Sequence, residues 1–191
     1  RTKLRLENNY EYINKCITQE ADIVDIGCGF GLMSYMLNFT SDKRKILGID
    51  YDSDKIELAN NCISKNDRIN FVSADAIGYD YSNADVFLLS DVLHYLPEEK
   101  QDLLVTTCIE KLNPGGIIII RDADKDLQKR HLGTRYTEFF STTFGYNKTV
   151  SKKLYFFSGK LITGLAARNN MHLEVIDNTK LTSNILYILR K

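Results

Sequence analysis

The sequence predicts an α/β fold: a doubly wound, seven-stranded sheet, mostly parallel with an antiparallel C-terminal strand, and helices on both faces. Three observations carry this expectation. Short, nearly continuous apolar runs alternate with segments of helical periodicity through most of the chain. The first strand-like run, "DIVDI" (22–26), breaks into three alternating glycines, Gly27, Gly29 and Gly31. The last two apolar runs are joined by a loop too short for a helical crossover, so they should pair antiparallel.

Taken in order, residues 5–18 place Leu6, Tyr10, Ile13 and Ile17 at helical spacing and predict an amphipathic helix. A strand over 22–26 follows, then a helix over 31–39 and a second strand, "KILGID" (45–50). Asp52 or Ser53 suits the cap of a helix running to about Lys65. "INFVSAD" (69–75) and "ADVFLLS" (84–90) are the third and fourth strands. Pro97 opens the next helix, because its missing donor would be unpaired there anyway. Glu98 and Glu99 favour the positive end of the dipole, and the helix runs to about Leu112. "NPGG" then turns the chain into a fifth strand, "IIIIRD". Residues 125–144 are polar and aromatic and read as helical, as do 158–169. "HLEVID" (172–177) and "NILYILR" (184–190) are the closing strands. Strand–helix–strand at this spacing marks parallel units, whose strands are apolar throughout because both faces are covered.

A chain of 191 residues suits one domain with a full core. With 25 basic and 25 acidic residues, no charge excess points to nucleic acid as a main partner. No apolar run approaches the roughly 20 residues of a membrane span, and no signal peptide is visible, so a cytoplasmic location is expected. Cys16, Cys28, Cys62 and Cys108 are widely spaced and form no C-x-x-C pair, which favours free thiols over a disulfide framework or zinc site. The three histidines lack metal-ligand spacing, so no metal is expected. The chain starts at Arg1, which is compatible with a piece of a longer polypeptide. Nothing in the sequence sets the oligomeric state.

A glycine-rich turn after the first strand of an open parallel sheet normally faces a ligand at the carboxyl ends of the strands. Without side chains the ligand reaches the backbone, and the next helix offers free N–H groups. A dinucleotide fingerprint would need glycine at position 32, where Leu32 stands, and a phosphate loop would need G-K-[ST], which is absent. Acids instead close successive strands: Asp25, Asp50 and Asp75. An acid at the second strand's end suits a ribose diol, and one at the third can accept from an adenine amino group.

"VDIGCGFG", "LGIDYD", "SADA", "DVFLLSDVLHYLP" and "LNPGGIIIIRD" resemble, in order and at normal spacing, the successive motifs of class I S-adenosylmethionine-dependent methyltransferases acting on small molecules. The resemblance covers about residues 20–122, and the closing strand pair matches as well. It implies a Rossmann-like single domain over 1–191, with an N-terminal helix within 1–20 and an acceptor-site insertion at 125–170. The implied cofactor is S-adenosyl-L-methionine and the product S-adenosyl-L-homocysteine. By the same resemblance, Gly27, Cys28, Gly29 and Gly31 form the bend beside the cofactor's methionine portion, and Asp25 helps place its amino group. Asp50, followed by Tyr51, takes the ribose hydroxyls. Asp75 with Ala76 frames the adenine, and Ser90 and Asp91 border the reacting methyl.

On the acceptor side, His94 lies where this family places residues near the substrate. Histidine can take a proton near neutral pH, although His94 could equally hold its loop by a backbone hydrogen bond. His131 is the second candidate base. Tyr95, Asp122, Arg135 and Tyr136 are candidate substrate contacts, with packing for Tyr95 and helix capping for Asp122 as the alternatives. The aromatic stretch 129–147 reads as a lid over the acceptor or as an amphipathic helix with its aromatics in the core. The asparagine-proline-proline-aromatic sequence of many amino-group methylases is absent after the fourth strand. The expected activity is therefore O- or C-methylation of a small or lipid-like organic acceptor. Two alternatives stand beside it. Leu32 argues against an NAD-type oxidoreductase, and the intact Asp25, Gly27, Gly29 and Asp50 set argues against a non-catalytic cofactor-binding module.

Overall fold

The computed structural model describes residues 9–126, 155–177 and 184–191. Their element order is α1 (Asn9–Cys16), β1 (Ala21–Ile26), α2 (Leu32–Thr40), β2 (Arg44–Asp50), α3 (Ser53–Asn60), β3 (Ile69–Ser73) and β4 (Ala84–Ser90). A 3-10 turn (Leu93–Tyr95), α4 (Glu98–Lys111), β5 (Leu112–Ala123), α5 (Gly159–Arg168), β6 (His172–Ile176) and β7 (Asn184–Arg190) complete it. One seven-stranded sheet runs in the order β3-β2-β1-β4-β5-β7-β6. The first five strands are mutually parallel, and β7 runs antiparallel to both β5 and β6.

The alternation of side chains along each strand supplies two cores. On β4, Phe87 and Leu89 face α4 and α5, joining Leu104, Val105, Cys108, Ile162 and Leu165. Val86 and Leu88 face the other way, with Ile13 of α1, Tyr35 and Leu37 of α2, and Ile56 of α3. Strand order reverses between β1 and β4, so the carboxyl ends of these two strands border a crevice.

Two boundaries differ from the sequence expectation by more than two residues, and the third strand, expected to reach Asp75, ends at Ser73. The helix expected to reach Lys65 ends at Asn60, where the Asn61 N–H turns back to the carbonyls of Glu57 and Ala59. Its expected cap is present: the Asp52 side chain accepts from the Asp54 N–H. The fifth strand begins at Leu112 rather than after "NPGG". Leu112 already pairs with Ala84, and the register then slips before Val86 pairs with Ile117. The glycines sit inside this irregularity: Gly115 has φ 77°, and a Cβ on Gly116 would lie 2.8 Å from the Asp85 carbonyl oxygen.

Arg44, at the start of β2, is fully buried. Its guanidinium donates to the carbonyls of Thr18 (3.0 Å), Ile17 (2.8 Å), Leu37 (3.2 Å) and Asn14 (3.3 Å), and to Asn14 Oδ1 (2.6 Å). It ties the end of α1 to the sheet. At the far end of β5, Asp124 bridges to Phe157, and the Lys125 N–H donates to the Phe157 carbonyl at 2.9 Å. The Ser158 hydroxyl donates to Asp126 at 2.6 Å. Asp124 also accepts from the Tyr187 hydroxyl (2.8 Å) and the Gly159 N–H (3.2 Å). No helix among the described residues is long and apolar enough to cross a membrane.

Candidate active site

The bend after β1 is folded by its own glycines. Gly27, Gly29 and Gly31 all have left-handed φ, at 74°, 56° and 74°. Their surroundings differ. A Cβ on Gly27 would lie 2.8 Å from Val92 Cγ2, and one on Gly31 would run into the Phe71 ring. Around Gly29 nothing among the described residues lies within 4 Å of the same position. Two of the three glycines therefore admit neighbouring side chains, and the middle one faces open space. The N–H groups of Gly27 and Cys28 donate to the Ile49 carbonyl at 2.7 and 3.0 Å, which fastens the bend to the end of β2.

Asp50, the last residue of β2, completes that fastening. Its Oδ2 accepts the Gly29 N–H at 2.8 Å, and its Oδ1 accepts the Asp52 N–H at 2.8 Å. Each oxygen retains a further lone pair for a ligand hydroxyl. Asp25 lies beneath, 2% exposed, and accepts from the Ser34 hydroxyl at 2.6 Å. Burial, reinforced by the charge of Asp50, pushes its pKa up to about 6. Burial also pushes the Cys28 thiol well above its ordinary range, which suits a packing role rather than a nucleophile. Tyr51, Phe30 and Leu32 are exposed beside the bend. Asp75 is exposed past β3, one oxygen accepting the Ile77 N–H at 2.9 Å, with Ala76 half-buried next to it. Gly29, Asp50, Tyr51, Asp75 and Ala76 thus line the ends of β1, β2 and β3.

Across the crevice, β4 ends at Ser90, and Asp91 turns the chain with φ 56°. Asp91 is ion-paired with Arg121 of β5, and its N–H donates to the Arg121 carbonyl at 2.8 Å. His94 follows in the 3-10 turn, 1% exposed. Its Nδ1 lies 2.6 Å from Asp122 Oδ1, and its backbone N–H donates to Asp122 Oδ2 at 3.2 Å. The carboxylate opposite Nδ1 favours the tautomer with the proton there, which leaves Nε2 as the basic nitrogen whenever the ring is neutral. Tyr95 and Phe156 lie against the imidazole, with ring centroids at 4.1 and 5.9 Å. Gln101 Nε2 fastens the turn by donating to the carbonyls of Leu93, Leu96 and Tyr155.

The structure thus brings Asp122, named from sequence as a substrate contact, against His94 instead of leaving it at the strand end. His131, Arg135 and Tyr136 lie outside the described residues. Sequence reasoning missed Ser34, Val92, Phe71 and Arg121. Only Arg121 carried a signal, as a charged residue directly after four isoleucines. A groove of about 770 Å³ lined by Pro97, Leu103, Thr106, Tyr155 and Leu161 lies on the α4–α5 side and includes none of the bend.

Fold and site together define a Rossmann-like domain with a nucleoside-sized edge at its strand ends. Residues 23–116 match the family model described as a methyltransferase domain. That match, with the relatives and solved structures below, supports a class I S-adenosylmethionine-dependent methyltransferase. A carboxy-S-adenosyl-L-methionine synthase of Shewanella amazonensis is 26% identical over 117 residues, 59% of this chain and 48% of that protein. An uncharacterized protein of Rickettsia prowazekii is 33% identical over 108 residues, 53% of this chain and 42% of that one. The chain therefore spans less than half the length of these relatives. The N-methyltransferase NodS of Bradyrhizobium japonicum, solved with S-adenosyl-L-homocysteine, superposes with a TM-score of 0.71 at 15% identity, covering 96% of this chain and 84% of that one. Magnesium protoporphyrin IX methyltransferase of Synechocystis, solved with the same product, gives 0.71 at 14% identity, covering 96% and 80%. At such identities the likeness is one of fold.

Proposed function

We propose that this chain uses S-adenosyl-L-methionine to methylate a small or lipid-like organic acceptor, on oxygen or carbon. The observation that carries the reading is the Gly29–Asp50 pair: a carboxylate bound to the one bend glycine whose outer side is open among the described residues. A nucleoside with a cationic sulfonium fits this donor set, since the edge offers carboxylates and a bare backbone, the bend lacks the G-K-[ST] of a phosphate loop, and the nearby Lys55 lies over the Phe30 ring, 5.7 Å from its centroid.

When bound, the cofactor supplies a methyl group on positively charged sulfur. The chain's own residues supply position. Asp50 would accept the ribose hydroxyls, the backbone at Gly29 would admit the amino-acid arm, and Asp75 with Ala76 would border the base. Asp25, buried below, adds negative potential under the bend once ionised. Ser90 and Asp91 would edge the reacting centre. Aligning donor and acceptor can itself contribute several orders of magnitude in rate. His94 would take the proton of an acceptor hydroxyl on Nε2, while Asp122 holds its ring and stabilises the charge gained. That pair is what favours an oxygen acceptor.

Calorimetric titration with S-adenosyl-L-homocysteine tests the cofactor assignment. Wild type should bind it and not NADH, and Asp50→Ala should weaken binding by about ten-fold or more, roughly 1.4 kcal/mol. Absent binding by wild type, or unchanged affinity in the variant, rejects the reading. Transfer of labelled methyl to a panel of phenols and hydroxylated lipids then tests the acceptor class, and transfer only to amines would correct it.

A further inference from the structure

Two neighbouring residues at the end of β5 grip the turn after β4 at two points. Arg121 holds Asp91 twice, by the side-chain ion pair and by its own carbonyl on the Asp91 N–H. Asp122 holds His94 twice, through the ring Nδ1 and the backbone N–H. Between the grips lies Val92, whose side chain packs where a Cβ of Gly27 would be. The first grip matters most because Asp91 is one of only two non-glycine residues with positive φ among those described. That conformation is disfavoured for a side-chain-bearing residue unless its surroundings impose it. Here Arg121 contributes both the side-chain ion pair and the carbonyl that accepts the Asp91 N–H, and its side chain is 5% exposed.

We propose that Arg121 is a positioning residue for the methyl-transfer site. By holding Asp91 in the left-handed conformation it sets the path of the next three residues, so that Val92 seats on the cofactor bend while His94 meets Asp122. One buried cation thereby adjusts the cofactor side and the acceptor side together, without touching either ligand. This deepens the reading of the Gly27–Gly31 bend as the cofactor site and rests on it.

The test uses protein labelled with 15N at histidine and long-range proton–nitrogen correlation above the imidazole titration range. Wild-type His94 should give the signature of a single neutral tautomer with the proton on Nδ1. In Arg121→Met the ring should shift toward a mixture of tautomers, and affinity for S-adenosyl-L-homocysteine should fall by about ten-fold. Arg121→Lys, which keeps the charge but not the planar fork, should restore both in part. A merely structural arginine would lower the melting temperature and leave tautomer and affinity as they were, and that result overturns the proposal. If Arg121→Met does not fold, Asp91→Ala breaks the same pair from the other side, and an unchanged His94 signature there overturns it equally. Wild type that shows the fixed tautomer but binds no S-adenosyl-L-homocysteine rejects the cofactor reading instead, while the tautomer of Arg121→Met still decides the role of Arg121.

Discussion

Val92 occupies the place that a side chain on Gly27 would need, 2.8 Å from the methyl group an alanine would carry. Gly29, two residues on, has no neighbour among the described residues within 4 Å at the equivalent position. The same substitution should therefore fail in two different ways. Gly27→Ala combines a positive φ with a collision and should cost roughly 2–4 kcal/mol of stability. Gly29→Ala carries only the backbone penalty, about 1 kcal/mol, but fills the space a cofactor needs. Urea unfolding with calorimetry separates them: Gly29→Ala should lose more affinity for S-adenosyl-L-homocysteine than stability. Equal losses in both properties for both variants would count against the open side of Gly29 as a ligand surface.

Asp25 makes stability depend on pH. Its folded-state pKa is raised from 3.8 to about 6, so the folded chain holds this proton more tightly than the unfolded one. The stabilisation is complete below about 3.8, declines as pH rises, and is gone above about 6. Asp25→Asn removes the penalty of the buried charge while keeping an acceptor for Ser34. The variant should be more stable than wild type near pH 8 by roughly 1–3 kcal/mol. The difference should narrow toward zero below about pH 4. Urea midpoints at the two pH values check this, and a difference that does not change with pH would refute it.

His94→Ala should lower methyl-transfer turnover by about 10²–10⁴-fold on a hydroxyl acceptor, with affinity for S-adenosyl-L-homocysteine within about three-fold, well under 1 kcal/mol. Asp122→Asn should lower turnover in the same direction by a smaller factor. Steady-state rates beside calorimetry distinguish this from a packing role, in which cofactor affinity and turnover would fall together.

Arg44→Met should destabilise the fold by roughly 3–5 kcal/mol, because four carbonyls and one amide oxygen lose a buried charged donor. Amide exchange should quicken first in α1, the element Arg44 ties down. A loss below about 1 kcal/mol in urea would show that those carbonyls find other partners.

The sheet was legible because most strands are rich in apolar residues, from "DIVDI" to "NILYILR", and the loop between the last two is short. The acids at the ends of β1, β2 and β3 were legible for the same reason, since a strand end is a position along the chain. What could not be read is set by contacts between residues far apart in sequence. Asp122 ends a strand in sequence, but only the β4–β5 register brings it to His94, 28 positions away. Gly27 and Gly31 look alike as letters, yet one yields to Val92 and the other to Phe71. "NPGG" suggested a turn ahead of the strand because its residues favour turns, while the sheet absorbed it as a slip in register. Nothing next to Arg44, the first residue of β2, marks in sequence the carbonyls of Ile17 and Leu37 that it reaches.

The pairing of residues 124–126 with 157–159 has one more consequence. The polypeptide leaves the sheet at Asp126 and is bound to it again beside the same point, so the intervening stretch begins and ends at a single stapled gate. The exit of β5 and the first turn of α5 are thereby held as one unit, so a change that loosens Asp124 loosens both.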